Sequence, residues 1–362
     1  MTTYTFQPTT TNQVVDWNDP AVWIGGVVPD GPSAEVVVPV VTLSGGGADT
    51  SFVSIASDEN HSVDSVSLAS NVLTIDGDLA VATDFAIKPD GEIDMGGGAL
   101  DAGTLENGGF DIQGDGQVTI TGVLTNNSEV VGNGLTLTLG ELVNDGTLVA
   151  ASGNLTVQVP SGFAQFSDGA LTGGAYEAGS SSTLYLDVGG VVTTDGAMIT
   201  LDSGGAIESF DSATSSYVSI QSTLNLISAA GSLSLAGQSY DWETALTVAG
   251  ALSLTDSLSA PELIVDPGGT ISGAGTINAP IANSGAIFAG LRGVPGSLTA
   301  GGGGKLDIQG AVTGDGTIEI LPEQVNLGGY ATSTLELGGP DSNKCLFRGR
   351  HRHSATRRPL RL

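Results

Sequence analysis

The sequence predicts an all-β chain folded as a parallel β-solenoid, and three observations lead there. Of its 362 residues, 55 are Gly and only 5% are aromatic, a Gly share about twice the ordinary one. Short strands of alternating apolar and polar residues recur between Asp-Gly, Asn-Gly and Gly-Gly turns. The segment 103–159 also aligns with itself in three rows, stepping 19 residues from Asn107 to Asn126 and 18 from Asn126 to Asn144.

The first element is VVDWNDPAVWIGGVVPDGPSAEVVVP (14–39), which holds two of the three Trp and four of the fourteen Pro. Trp17 and Trp23 flank Asn18-Asp19-Pro20, a turn-starting sequence. A solenoid leaves an unpaired ladder and an open core at its first coil, so a cap is expected there. Two large aromatics suit that role better than the alternative, a Trp pair stacking on sugar. Residues 1–64 are assigned to a cap-like β segment.

The repeat rows follow as GTLENGGFDIQGDGQVTIT (103–121), GVLTNNSEVVGNGLTLTL (122–139) and GELVNDGTLVAASGNLTVQV (140–159). Each opens on Gly, places Leu105, Leu124 or Leu142 two residues on, and sets Asn107, Asn126 or Asn144 two further. Each ends in an alternating strand, with Val118 and Ile120, Leu137 and Leu139, and Leu155 and Val157 as equivalents. Gly supplies the positive-φ corner of a short turn and Asn or Asp tolerates it. Turns are accordingly read at Asp76, Asp90, Asp115, Asn144, Asp168, Asp195 and Asp315. A period of about 18–20 residues is too short for a propeller blade but fits one solenoid coil, stacked on the next about 4.8 Å away. Asn recurring at one coil position is expected to stack as an amide ladder.

The pattern returns in GTISGAGTINAPIANSGAIFAG (269–290) and KLDIQGAVTGDGTIEILPEQVNLGGYATSTLELGG (305–339). Residues 65–340 are therefore assigned to the solenoid body, about fourteen coils in all. The competing architecture, tandem β-sandwich domains, is opposed by the short period, the missing tyrosine corner and the lack of one central Trp per domain.

The opening, with Trp17-Asn18-Asp19-Pro20, Trp23 and Gly25-Gly26-Val27-Val28-Pro29, resembles the start of large bacterial surface or secreted proteins with repeat-rich bodies. GTISGAGTINAPIANSGAIFAG and VTGDGTIEI are similar to autotransporter and adhesin passengers, which implies a right-handed parallel β-helix and an exported, elongated surface protein. The likeness covers about 330 residues, and its Gly-Thr-Ile and Asn-x-Gly turns specify a solenoid better than a family. The chain departs from the autotransporter pattern in its MTTYTFQPTT start, which has neither a basic nor an apolar signal region, and in showing no C-terminal membrane barrel.

Residues 341–362 form a distinct basic tail. The last nineteen residues carry Lys344, Arg348, Arg350, Arg352, Arg357, Arg358 and Arg361 against no acid, a charge of +7 (7 − 0). Residues 1–343 carry −36 (3 − 39), with Lys88, Arg292 and Lys305 as their basic groups. Three readings stand: an anion-binding tail, an arm that docks on the acidic flank of another copy, and a frameshift. The third follows from the resemblance, because proteins with this opening resemble ones ending in a hedgehog/intein-type (Hint) module that starts roughly Cys-Phe-Ala-Ala-Gly-Thr. Codons for Cys345 to His351, read one base later, can spell that peptide, and the frameshift is the favoured reading. Cys345 is then no autoprocessing nucleophile, since that chemistry needs a base and an oxyanion donor within a folded module.

Charge and composition exclude several functions. A body of −36 is repelled by nucleic-acid phosphates and by anionic membranes. No apolar run is long enough to span a bilayer as a helix. One Cys leaves no internal disulfide framework and no Cys-cluster zinc site. Lyase chemistry on acidic polysaccharides needs cations, and no Arg or Lys lies between residues 89 and 291. Hydrolysis needs clustered carboxylates with one raised pKa; Asp111, Asp115, Asp307, Asp315 and Glu319 are available, but those next to Gly read first as turn residues. Gly108-Gly109-Phe110-Asp111-Ile112 and Gly314-Asp315-Gly316 are isolated, off-pattern pieces of a calcium nonapeptide. His61, within SDENHSVDS, reads as a residue of a solvated loop, and no G-x-S-x-G elbow or P-loop is present.

No catalytic, cofactor-binding or metal-ligating residue is assigned, and no cofactor is expected. The sequence-level expectation is a non-enzymatic, adhesin-like β-solenoid at a bacterial outer surface or outside the cell. Its partner is an unidentified surface glycan or protein, with no nucleic acid and no membrane-spanning segment. The alternatives are a carbohydrate-active β-helix, either hydrolase or lyase, and an inert spacer stalk. Three or more carboxylates, or a carboxylate with Arg292 or Lys305, converging on one groove would point to the enzyme.

Overall fold

A computed structural model describes residues 1–7, 14–40, 51–160, 162–290 and 305–320, with the backbone of strands Val41–Thr42, Ala48–Asp49, Thr334–Leu337, Cys345–Arg348 and Leu360–Arg361. The chain is nearly all β, with 2% helix, and its strands pair in parallel as a β-solenoid of about 12 turns, consistent with a right-handed β-helix. Tandem sandwiches are thereby excluded, because their strands would pair antiparallel. The chain divides into two compact units. One comprises 1–167, 173–190 and 206–217, the other 168–172, 191–205 and 218–362.

In the first unit, inward residues of successive coils stack in apolar columns. One runs Val53, Leu73, Ile93, Ile112, Val130, Leu148 and Tyr176, residue on residue. All are buried, and each Leu or Ile so buried contributes about 1.5–3 kcal/mol. Strands Glu92–Asn107, Asp111–Asn126 and Glu129–Asn144 are each 16 residues long and turn their corners through bulges rather than by ending. Asp115 sits in such a bulge, inside a strand instead of between two. Its neighbour Gly114 has φ +111°, and a Cβ there would collide with the Met95 carbonyl.

The amide ladder forms as expected. Asn107 Nδ2 donates to Asn126 Oδ1 at 2.8 Å, and Asn126 Nδ2 to Asn144 Oδ1 at 2.7 Å, all three residues being fully buried. The same column holds Val38, Leu68 and Ile87 in the preceding coils. Parallel pairing also takes in the N-terminal strands Thr2–Thr5 on Ala34–Val38, and Ala34–Val38 on Ser65–Leu68. One row of the repeat is out by two residues: Leu155 pairs with Leu135 and Val157 with Leu137. A two-residue slip keeps every side chain on its face, so the alternation alone does not detect it.

In the second unit, Leu233, Leu252, Ile271, Ile287 and Ile318 stack as one column, and Asp195, Ile227, Val248, Val265 and Asn283 as another. Asp195 therefore lies within strand Thr194–Asp202 and points into the core, not into a turn. Tyr240 and Trp242 are buried with their polar atoms satisfied: Tyr240 Oη donates to the Leu201 carbonyl at 2.9 Å, and Trp242 Nε1 to that of Leu224 at 2.9 Å. The expected fourteen coils reduce to about 12 because some coils are longer than the repeat. Thr147 pairs with Ala175, a step of 28, and Met198 with Ser232, a step of 34.

Candidate functional site

The N-terminal aromatics form a closed cluster. Trp17 and Trp23 meet edge to face at 5.1 Å, Phe6 meets Trp23 at 5.7 Å, and all three are buried. Trp23 Nε1 donates to the Trp17 carbonyl at 2.8 Å and Trp17 Nε1 to that of Pro29 at 3.2 Å. With indole faces and N–H groups both committed inward, neither Trp is open to stack on a sugar.

His61 is corrected by the structure. It lies in strand Asn60–Val63, pairs with Leu79 in the column of Leu100 and Val118, and is buried. Its polar neighbours read as a loop, yet strand alternation turns His61 and Val63 inward and Asn60 and Ser62 outward. The ring lies 5.6 Å from that of Trp17, with Nε2 3.7 Å from a Glu59 carboxylate oxygen. Burial pushes the Glu59 carboxyl up, but the Ala56 N–H, the Asn18 amide and His61 together hold it below its ordinary value.

An open groove beside this strand is lined by Asp30, Asp78 and Asp101, with Asn60, His61 and Ser62. Asp30 Oδ1 accepts the backbone N–H of Gly31 at 3.0 Å and of Ser62 at 3.2 Å, which ties the Pro29–Gly31 turn to the first coils. Three carboxylates thus line one groove, but one of them is holding a turn and the imidazole belongs to the core.

A second acidic region faces outward on the long strands. Asp111 pairs with Glu129. Glu92 is raised by burial first, then by Asp111 and Asp94, against a hydrogen bond from Gln113. Asp94 is raised by burial, then by Asp76 and Asp115; Asp111 by burial; and Glu129 by burial, then by Asp111 and Glu177. Glu92, Asp111 and Glu129 follow one another up a single outward column, and Asp94 stands between Thr74 and Gln113, so these carboxylates do not close on a point. Among the described residues, no three His, Cys, Asp or Glu are grouped to hold a metal ion.

Of the basic groups, Lys88 pairs with Glu106 at 3.4 Å and Lys305 with Asp307 at 3.1 Å. Arg292 and most of the tail lie outside the described residues. The backbone from Cys345 to Arg348 pairs antiparallel with Thr334–Leu337.

Two features carried no signal in the sequence. Asp195 is fully buried, its Oδ1 accepts the Ala197 N–H at 2.9 Å, and its Oδ2 has no partner. Burial pushes its pKa up to about 7, against the Ala197 hydrogen bond. The other is an outward cluster of half-buried rings, in which Tyr217 meets Tyr185 at 4.9 Å and Phe210 at 5.4 Å. No known family model, curated protein or solved structure matches the chain.

Proposed function

We propose that the chain is a non-enzymatic, adhesin-like structural solenoid of a bacterial surface or secreted protein, which binds its partner through outward strand faces. The observation that supports this most is the layout of its carboxylates. Glu92, Asp111 and Glu129 stand at successive levels of one outward column, and the groups whose charged form burial most disfavours lie on outward strand positions or in the core, not in a cleft with an acid/base partner. Among the described residues, no helix is long and apolar enough to cross a membrane.

Binding of the intact chain to a glycan array and to cells tests the reading. Saturable binding without release of reducing sugar supports it, whereas uniformly negative binding replaces it with the inert spacer. One observation favours a second reading, a carbohydrate-active β-helix: Asp30, Asp78 and Asp101 line one groove. Release of reducing sugar that Asp78→Asn and Asp101→Asn abolish would establish that reading and overturn the first.

A further inference from the structure

We propose that the outward corner built by Tyr185, Phe210 and Tyr217 with Asp187 and Glu208 binds an oligosaccharide carrying free amino groups. The proposal rests on the binding role above and names the ligand for it. Strand register sets the corner out. Tyr185 pairs with Glu208 on the neighbouring strand, and Leu186 pairs with Ser209, so continuing the ladder by one residue sets Asp187 beside Phe210. Two rings therefore occupy one diagonal of a four-residue square and two carboxylates the other. Tyr217 lies across it, with its ring inclined 62° to Tyr185 and 68° to Phe210.

The approach to the corner is ordered. Asp211 Oδ1 accepts the Ala213 N–H at 2.9 Å and its Oδ2 the Thr214 hydroxyl at 2.9 Å, which holds the turn leading to Tyr217. Burial, then Asp187 and Tyr185, raise the Tyr217 hydroxyl pKa, so the Asp187 charge is felt at the ring.

The chemistry selects the ligand. Ring faces take an apolar surface or a cation, and a carboxylate beside them favours an ammonium group through a charge-assisted hydrogen bond. No Lys or Arg occurs between residues 89 and 291, so the chain's own sequence around the corner supplies no counter-charge. An amino sugar combines an apolar C–H face, hydroxyls and an ammonium at the scale of this corner. A stable interface with a folded protein buries about 800 Å² per partner, far more than five side chains offer.

The test is calorimetric titration of the intact protein with a glucosamine hexamer in mildly acid, low-salt buffer. The fully N-acetylated hexamer and a lysine-rich peptide serve as comparison ligands. One saturable site is expected, with the N-acetylated hexamer about tenfold weaker or more. Tyr217→Ala and Asp187→Asn are each expected to weaken binding about fivefold or more, while Glu129→Gln, on the separate acidic face, binds as wild type. Glu208→Gln removes charge without touching a ring and keeps the test valid should Tyr217→Ala disturb the turn. Absence of binding, equal affinity for the N-acetylated hexamer, insensitivity to the Asp187 and Glu208 variants, or tighter binding of the peptide would each overturn the proposal. Cell or array binding that persists in those cases leaves the adhesive role standing without this site, and its loss removes both.

Discussion

Replacing Asp195 by Asn is expected to stabilise the second unit above neutral pH and to change little in acid. The carboxyl is fully buried, one oxygen has no partner, and burial raises its pKa from 3.8 to about 7. Strands Leu226–Ile227, Ser232–Ala236 and Leu246–Val248, which stack around it, carry no titratable side chain. A raised folded-state value means that the folded chain keeps a proton which the unfolded chain releases. The resulting stabilisation is complete below about pH 4 and is lost as pH rises through about 7. Three pH units at about 1.4 kcal/mol each amount to about 4 kcal/mol.

Asn283 shows what an amide does at the equivalent place. Its Oδ1 accepts the Gly285 N–H at 3.1 Å, as Asp195 Oδ1 accepts that of Ala197, and its Nδ2 donates to the Thr317 carbonyl at 3.2 Å. Thr317 pairs with Ala286, three residues past Asn283. Three residues past Asp195, Met198 pairs with Ser232, whose carbonyl is the corresponding acceptor. Hydrogen exchange of peptides from 218–260 at pH 5 and pH 8 reads the effect locally. Asp195→Asn should raise protection at the higher pH by up to about a thousandfold, after correction for intrinsic exchange. Equal protection of the two proteins at both pH values would refute the claim that Asp195 is held as a neutral acid.

Further outcomes are expected from the ladder, the cap, a corner glycine and the outward carboxylates. Asn126→Leu removes two ladder hydrogen bonds and one to the Thr147 carbonyl and should cost about 3–5 kcal/mol in urea unfolding. Changing Asn107, Asn126 and Asn144 together to Ile should cost less than three such losses, because the column already accepts Val38, Leu68 and Ile87. Trp17→Ala should cost about 3–5 kcal/mol and speed exchange in residues 52–63 while peptides of the second unit keep wild-type rates. Gly114→Ala should destabilise the chain more than Gly31→Ala in thermal melting, since both sit at positive φ but only Gly114 has a carbonyl where the Cβ would go. Acidification from neutral pH should also stabilise the first unit, because Glu92, Asp94, Asp111 and Glu129 all have raised pKa values. Asp111→Asn should flatten that dependence in denaturation midpoints.

The repeat was legible because a coil restates the same local choices: Gly at a corner, an apolar residue two positions on, Asn two further. Leu105, Leu124 and Leu142 stack as that spacing requires, and the three Asn bond in file. What one coil does not state is its offset from the next. Leu155 slipped by two residues without changing face. Asp195-Gly196 is the same dipeptide as Asp76-Gly77, yet Asp76 sits at a bend and Asp195 in the core. The difference between them is coil register, a long-range quantity set by the insertion that makes Met198 step 34 residues to Ser232.

The ring cluster was invisible for the same reason. Tyr185, Phe210 and Tyr217 are 25 and 7 residues apart in sequence, outside the repeat period, and meet only because the irregular coils bring 183–186 onto 206–209. The regular coils supply stacked, interchangeable faces, on which a change at one level is matched by its neighbours above and below. Departures from the period, by contrast, place unlike residues side by side. The buried Asp195 and the Tyr217 corner both fall where the coil length departs from the repeat, so a search for function in such a solenoid begins at its irregular coils.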